Sequence, residues 1–238
     1  MAAGPSGNLC KDSAMRVVGL VPMRHDSERV RGKNYRVLGD RPLYHHIVAA
    51  LLESGAVDEV VIDTDSPFIA QDAPAHFDRV TVIPRPEHLL GGHTPMNDIL
   101  LHDVAQVDAD LYLQTHSTNP LLRATTIAAA VKTLVDQRPE YDSLFGVTAL
   151  QTRLWWDGAR AVNHDPAVLL RTQDLPPIYE ENSNIYLFDR ATLERRGNRI
   201  GERPLLFPID RAEAWDIDEE IDWTVVEALY AQRASNGD

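Results

Sequence analysis

The stretch Val17–Asn34 reads VVGLVPMRHDSERVRGKN, and the rest of the chain is organised around it. Its first residues form an apolar run rich in valine, which is typical of a buried parallel strand. Pro22 is predicted to end this strand, because proline has no amide hydrogen to donate to the sheet. A polar loop follows, and Gly32 closes it. Since α/β sheets hold phosphate-bearing ligands where strands open into loops, we expect an anion site in this loop.

Positive charge is concentrated in the same loop. Between Arg24 and Arg41 there are six Lys or Arg residues and three Asp or Glu residues, whereas the whole chain has a formal net charge of −13. This contrast would direct an anionic ligand to the loop. The acidic molecule as a whole argues against general nucleic-acid binding, which needs a basic surface. A solvated surface turn is the alternative, and the candidate ligand-binding residues are Arg24, Ser27, Arg29, Lys33 and Asn34.

Strand and helix patterns alternate along the chain and favour an α/β fold. At 238 residues the chain suits one such domain. We predict a doubly wound, mostly parallel sheet with helices on both faces. After the first strand, the predicted strands are 59–64, 79–83, 110–115, 143–148 and 185–188, and the predicted helices are 42–54, 96–104, 125–135, 221–231 and one that begins at 65–67.

Two segments differ from the regular pattern. Residues 1–14 are small and polar, and we predict a disordered extension ahead of a single domain at 15–238. Residues 151–181 show little periodicity and include Trp155 and Trp156. A loop of this length in a compact domain is normally functional or part of an interface.

Cysteine content and hydropathy limit the cellular setting. Cys10 is the only cysteine, so the sequence predicts no intrachain disulfide and no thiol-rich metal site. The chain has no long apolar run and no signal-peptide pattern. We therefore predict a cytoplasmic protein without a membrane partner.

A pair of carboxylates near the carboxyl terminus is the second candidate site. Asp216 and Asp218 lie two residues apart in WDIDEE, so in an extended segment they point to the same side. Two carboxylate oxygens of this kind suit Mg²⁺, which binds proteins through one or two carboxylates together with substrate phosphates. The alternative is helix capping, with Asp218 as the N-cap of the helix at 221–231.

The loop also carries a family resemblance. Pro22, Arg24, Ser27, Lys33 and Asn34 have the spacing P-x-R-x-x-S-x(5)-K-N. This resembles the signature of the acylneuraminate cytidylyltransferases, the enzymes that make CMP-activated acidic sugars. In that family the loop holds the triphosphate of CTP. The resemblance therefore implies a nucleotide-diphospho-sugar transferase-like fold, with Arg24 and Lys33 as phosphate ligands.

One residue of the loop departs from the family pattern. The family usually has Lys directly after the Ser, whereas this chain has Glu28. A carboxylate beside a triphosphate is unfavourable. Either Arg29 replaces the missing cation, or the loop is arranged differently.

Further motifs extend the resemblance along the nucleotide side. Thr64-Asp65 matches the T-D that ends the second strand in the family, although the family's preceding Ser is Asp63 here. Asp65 could instead be a helix N-cap. Arg85-Pro86 matches an R-P whose Arg lies near the nucleotide, although a surface turn explains it equally well. Asn97 lies in the first turn of a predicted helix and could contact a base or ribose.

The acceptor side carries looser matches. His116 to Leu121 resembles the family's Q-P-T-S-P-L, with His116 in place of Gln and Thr118 retained. A hydrogen-bonded turn residue is the alternative role for His116. The segment before Leu175-Pro176 resembles R-Q-x-L-P, and 182–186 resembles N-G-x-I-Y with Ser183 in place of Gly. The resemblance implies a dimerisation arm at 151–181, and the candidate acceptor contacts are His116, Thr118, Arg171, Gln173, Asn182 and Tyr186.

These motifs together predict transfer of CMP from CTP to a small acidic acceptor, with release of pyrophosphate. Arg24 and Lys33 would neutralise phosphates, Mg²⁺ would bind Asp216 and Asp218, and His116 is the candidate base. A homodimer is expected from the family's arm. A metal-dependent glycosyltransferase and a non-catalytic nucleotide-binding homologue remain alternatives, and a phosphonate remains a possible acceptor.

Overall fold

The structure is a computed structural model that describes residues 15–27 and 29–236. Glu28, Cys10 and the predicted extension at 1–14 lie outside the described residues. The described residues form a mostly parallel sheet with helices on both faces, so the predicted fold class is confirmed. Among them, no helix combines the length and the apolar character needed to cross a membrane.

Eleven strands and six α-helices occur in the described part of the chain. The strands are β1 Val17–Leu20, β2 Val37–Leu38, β3 Arg41–Pro42, β4 Glu59–Thr64, β5 Val80–Pro84, β6 Leu111–Gln114, β7 Ser143–Leu150, β8 Trp155–Trp156, β9 Arg160–Ala161, β10 Ile178–Phe188 and β11 Pro204–Pro208. The helices are α1 Leu43–Glu53, α2 Pro67–His76, α3 Met96–Gln106, α4 Ala124–Gln137, α5 Arg190–Arg196 and α6 Glu220–Asn236.

Seven of these strands form the central sheet in the order β11-β7-β10-β6-β1-β4-β5. Parallel pairs join β1 to β4 and β6, β4 to β5, and β7 to β11. β10 runs antiparallel to β6 and β7. From β1 the chain adds β4 and β5 on one side and then places β6 on the other. Such a reversal of strand order leaves a crevice at the carboxyl ends of the strands, which is where α/β proteins bind ligands.

Both faces of the sheet are covered, because alternate residues of each strand enter different cores. Val17 and Val21 pack with Leu51 of α1 in one core, which also includes residues of α2 and α4. Val18 packs with Leu100 of α3 on the opposite face. The valine-rich run of β1 therefore serves two cores at once.

Two local details differ from the sequence prediction. Pairing with β4 continues beyond β1 and past Pro22, because the amides of Val21 and Met23 donate to Val61 O and Asp63 O, both at 2.9 Å. Pro22 does not interrupt the ladder, since the amides that face β4 belong to the alternate residues. At α2 the N-cap is Ser66, whose Oγ accepts from Ile69 N at 3.3 Å. Asp65 is not the cap.

The segment 151–181 contains more regular structure than its sequence indicates. β8 and β9 form a two-stranded hairpin, and β10 begins at Ile178 although we predicted strand only at 185–188. The pairing of β10 with β7 shifts register between Glu181 and Tyr186. Ser183, inside this break, has a left-handed φ of 56°. The break interrupts the alternation of side chains, so the sequence shows only the carboxyl-terminal half of the strand.

Candidate active site

A cavity of about 400 Å³ opens where the chain leaves β1, β5 and β6. Its volume falls in the range of small-ligand sites. Among its described lining residues Asp26 is the one carboxylate, so the lining is strongly cationic. The structure brings these predicted site residues together on its wall: Arg24, Ser27, Arg29, Lys33, Asn34, Arg85, His116 and Thr118.

Gly32 allows the basic loop to turn back into the cavity. Its φ is 66°, and a Cβ there would lie 2.9 Å from the Tyr35 ring. Only glycine adopts such a conformation without strain. The turn that follows, Lys33–Tyr35, is a single 3₁₀ turn in which the Lys33 side chain is 12% exposed.

Asn34 links the basic loop to the segment that follows β6 through hydrogen bonds. Its Nδ2 donates to Arg24 O at 2.6 Å, and its Oδ1 accepts from Ser117 Oγ at 2.7 Å. The amide therefore holds the loops after β1 and β6 together. The nucleotide-binding role predicted for Asn34 stays a prediction, and the geometry supports a positioning role.

A second set of hydrogen bonds links the basic loop to the turn after β4. His25 N donates to Asp65 Oδ1 at 2.7 Å, and His25 Nδ1 lies 2.8 Å from Ser66 Oγ. The His25 ring also stacks on Tyr35, with 5.3 Å between ring centroids. Asp65 thus anchors the loop backbone. This contact has no signal in the sequence beyond the Thr64-Asp65 match.

The basic loop and the carboxylate pair, which lie almost 200 residues apart in sequence, meet in the structure. Arg29 Nη2 lies 2.8 Å from Asp218 Oδ1, and Lys33 Nζ lies 3.9 Å from the same oxygen. Lys33 Nζ also donates to the carbonyl of Ile217. Burial lowers the pKa of Lys33, and the charges of Asp216 and Asp218 oppose that shift.

Apolar packing explains why these two segments converge. Val30 from the loop and Ile217 from between the aspartates are both fully buried in one cluster, together with Trp223 and Val226 of α6. Ile217 N also donates to Thr118 O at 3.0 Å. Burial of these side chains is worth about 1.5–3 kcal/mol each. The alternation D-I-D therefore buries its middle residue and leaves both carboxylates beside the cations.

Asp216 and Asp218 meet the requirements of a cation site. Asp216 is mostly buried, its Oδ1 has no hydrogen-bond partner among the described residues, and its other contact is a hydrogen bond from Thr118. Burial, and then the charge of Asp218, raise the pKa of Asp216. A buried carboxylate oxygen without a donor costs free energy that a cation would recover. The donor set therefore fits Mg²⁺, which prefers carboxylate oxygens.

Helix capping does not account for this pair. The acceptor at the start of α6 is Asp222, whose Oδ2 accepts from Asp218 N at 3.0 Å and from Glu219 N at 2.7 Å. The side chain of Asp218 instead faces Arg29 and Lys33. The capping alternative for Asp218 is wrong.

Arg85 follows β5 and lines the cavity, and its guanidinium is hydrogen-bonded to Asp63. Its Nε donates to Asp63 Oδ1 and its Nη2 donates to Asp63 O at 3.2 Å. The side chains of Arg85 and Asp63 are only 2% and 0% exposed. Asp63 is the residue that replaces the family's Ser, so the departure in sequence supplies the partner of Arg85.

On the opposite wall, a hydrogen-bond relay fixes the state of His116. Arg199 Nη1 can only donate, so the Gln114 oxygen faces it and the Gln114 amide nitrogen faces His116 Nε2, at 3.1 Å. His116 Nε2 is therefore an acceptor, which places the ring proton on Nδ1. Burial lowers the pKa of His116 to about 3, with further lowering by the charges of Arg199 and Lys33. The ring is neutral at physiological pH.

Arg199 is a cation beside the site that the sequence did not predict, although it does not line the cavity. Its guanidinium carbon lies 3.4 Å from the centroid of the Tyr186 ring, and burial lowers its pKa. It follows α5 in a stretch with no catalytic motif. Basic residues often follow short helices on protein surfaces, so the sequence gives no sign that Arg199 packs against Gln114 and Tyr186. Only the fold shows these contacts.

The remaining predicted residues do not line the cavity. Asn97 Oδ1 accepts from Arg199 N at 3.2 Å, and Asn182 Nδ2 donates to Thr148 Oγ1 at 3.1 Å. Tyr186 is buried beneath Arg199. On the exposed segment, Arg171 pairs with Asp174 at 2.7 Å, and Gln173 O accepts from Gln151. The nucleotide-binding role of Asn97 and the substrate-binding roles of the other four residues stay predictions.

Comparison with known proteins agrees with this geometry. The chain matches the family model described as cytidylyltransferase over residues 18–233. It is 30% identical over 233 residues to the CMP-N,N'-diacetyllegionaminic acid synthase of Legionella pneumophila, which covers 90% of this chain and 96% of that protein. It is 24% identical to the N-acylneuraminate cytidylyltransferase of Escherichia coli, over 93% of this chain and 53% of that protein. A CMP:2-keto-3-deoxy-manno-octonic acid synthetase complexed with CTP shares the fold, with a TM-score of 0.69 at 19% identity over 92% of this chain and 99% of that one. The chain thus belongs to the cytidylyltransferase family.

Proposed function

We propose that the chain transfers CMP from CTP to a small acidic acceptor and releases pyrophosphate. The observation that carries the proposal is the meeting of the basic loop with Asp216 and Asp218 beside a cavity at the strand ends. The names of the relatives support an acidic sugar as the acceptor. We also propose that the protein is cytoplasmic, as its sequence predicts.

The reaction needs charge neutralisation more than covalent chemistry from the protein. An acceptor hydroxyl oxygen would attack the α-phosphorus of CTP and lose its proton to solvent. The bond from this phosphorus to the β-phosphate oxygen would break, and pyrophosphate would leave with that electron pair. Arg24, Lys33 and Arg85 would bind phosphate oxygens from the cavity wall. Mg²⁺ on Asp216 and Asp218 would supply further neutralisation of phosphate charge.

His116 would orient the acceptor through a hydrogen bond. We predicted it as the base that removes the hydroxyl proton, and that role is untested. Its low pKa and the hydrogen bond to Nε2 favour donation from Nδ1 instead. A base with a pKa of about 3 would accept a proton poorly at neutral pH.

A pyrophosphate-release screen tests the function. The full chain with Mg²⁺ would be offered four nucleoside triphosphates, each against a panel of sugar acids and phosphonates. We expect release with CTP and one class of acceptor. Tight binding of CTP without release across the panel would support a non-catalytic homologue, and transfer of a sugar from a nucleotide sugar would support a glycosyltransferase.

The proposed enzyme is a homodimer that associates through the segment 151–181. Trp155, Trp156 and Leu169 there are 49%, 58% and 88% exposed, which is more apolar surface than a solvated loop needs. We expect a dimer in sedimentation at micromolar concentration and a monomer for Trp156→Glu. Ile221→Glu, at an exposed site on α6, is the matched control and is expected to stay dimeric. A monomeric wild-type protein would contradict the prediction.

N-acetylneuraminate is predicted to be a poor acceptor. Glu180 and Glu181 precede Asn182 where the family commonly has a basic residue, and a sugar carboxylate there meets like charge. Arg171 could have compensated, but its guanidinium is paired with Asp174. We expect kcat/KM below about 10⁴ M⁻¹s⁻¹, the lower end of ordinary enzyme values. A higher value would show that the site reads sialic acid.

A further inference from the structure

A group of ionisable side chains lies behind Arg85, outside the proposed cavity. Asp63 is the second-to-last residue of β4, and His102 and Asp103 are neighbours on α3. One ligand atom from each lies within 4.8 Å of the other two. Asp63 and Asp103 are 0% and 1% exposed. None of the three side chains lines the cavity, although Asp63 holds the Arg85 guanidinium.

The polar atoms of this group lack partners. Asp63 Oδ2, both carboxylate oxygens of Asp103 and His102 Nε2 are buried without a hydrogen bond among the described residues. If both carboxyl groups were ionised, they would face one guanidinium among the described residues, that of Arg85, which bonds Asp63 Oδ1. The cluster therefore needs added positive charge, since an unpaired buried carboxylate costs several kcal/mol.

Two sources of that charge are possible, a proton and a metal ion. Burial, then the charge of Asp63 and the hydrogen bond that protonated Asp103 can donate to Asp63, raise the pKa of Asp103 to about 9. A proton shared by the two carboxyl groups would leave one negative charge beside Arg85. A shared proton leaves His102 Nε2 without a partner. A divalent ion uses both carboxylates and the imidazole nitrogen.

We propose that Asp63, His102 and Asp103 bind a divalent transition-metal ion such as Zn²⁺, with a fourth position open to water. One imidazole nitrogen with two carboxylate oxygens is a donor set that suits Zn²⁺, at about 2.0–2.2 Å from each ligand. Three atoms that all lie within 4.8 Å of one another are at most about 2.8 Å from a common centre, since 4.8 Å divided by √3 is about 2.8 Å. Bonds of about 2.0–2.2 Å therefore require each ligand atom to move by at most about 0.8 Å. Mg²⁺ suits the site less, since it prefers oxygen ligands.

Metal content and a titration test this site. The full chain without an affinity tag would be produced in zinc-supplemented medium, and its zinc would be measured by mass spectrometry. Chelator-treated protein would then be titrated with Zn²⁺ in excess Mg²⁺, which occupies any carboxylate-only site. We expect one Zn²⁺ per chain for the wild type and at least tenfold weaker binding for His102→Ala and Asp103→Asn. Co²⁺ substitution should give the visible absorption of a low-coordinate nitrogen and oxygen site, which a shared proton cannot produce.

His76→Ala provides the matched control. His76 belongs to a second group, with His45 and Asp72, whose ligand atoms also lie within 4.8 Å of one another. There Asp72 already accepts hydrogen bonds from Tyr44 and from His45, so the group needs no ion. Loss of zinc in His76→Ala but not in His102→Ala would overturn the proposal. A folded wild-type chain that takes up no zinc, either during expression or in the titration, would overturn the proposed metal site. The shared proton would then be the source of the positive charge.

Discussion

Asp216→Asn and Asp218→Asn are each expected to abolish turnover while the protein stays folded. The loss should be at least about 10³-fold, because metal-borne charge stabilisation in such reactions is worth several kcal/mol. Asn keeps the shape of the side chain but removes the charge that would hold Mg²⁺ beside the phosphates. Steady-state pyrophosphate release over a range of Mg²⁺ concentrations measures the effect.

The thermal stability of Asp216→Asn distinguishes a metal-binding role for Asp216 from a structural role. Burial raises the pKa of Asp216, so the folded state binds a proton at this carboxyl more tightly than the unfolded state does. At pH values above the folded pKa, ionised Asp216 therefore destabilises the fold. Without Mg²⁺, Asp216→Asn should melt no lower than the wild type at pH 7.

Asp222→Asn is the matched control for the carboxylate pair. Asp222 Oδ2 accepts two amide hydrogens at the start of α6, and the amide oxygen of Asn can accept them as well, so stability should change little. Its Mg²⁺ dependence should stay that of the wild type. Near-normal Mg²⁺-dependent activity in both Asp216→Asn and Asp218→Asn would falsify the metal assignment.

The basic loop and the acid pair could be predicted from sequence because short-range chemistry defines them. Arg24 and Lys33 lie in a strand-to-loop turn, and Asp216 and Asp218 have a fixed spacing before a helix. A doubly wound fold allows both segments to lie at one edge of the sheet. The physical cause, burial of Val30 with Ile217, required the structure.

Other features depend on contacts between distant segments, which no local pattern reveals. Arg199 lies beside the site only because α5 ends next to β6 and β10, where its guanidinium bonds Gln114 and packs on the Tyr186 ring. Asp63 was visible in sequence as a departure from the family, but its partner Arg85 comes from the next strand. Conversely, Asn97 was predicted from its position in a helix and Asn182 from the family pattern, yet both bond to their own protein in the structure.

Lys33→Ala is expected to weaken CTP binding by about 100-fold, which corresponds to about 2.7 kcal/mol. Charge-assisted hydrogen bonds from a largely desolvated ammonium to phosphate are worth this much. The Lys33 side chain is only 12% exposed and lines the cavity. Cytidine, which has no phosphate, should bind within about threefold of its wild-type affinity, and CMP should show an intermediate loss.

Arg31→Ala is the control for charge alone. Arg31 belongs to the same loop, but it is exposed and does not line the cavity. It removes the same formal charge, so a purely long-range effect would weaken CTP equally in both variants and would fall as salt screens it. Calorimetric titration of CTP, CMP and cytidine against the wild type, Lys33→Ala and Arg31→Ala distinguishes these cases. Equal losses of all three ligands in Lys33→Ala would mean that Lys33 supports the Ile217–Asp218 segment and does not bind phosphate.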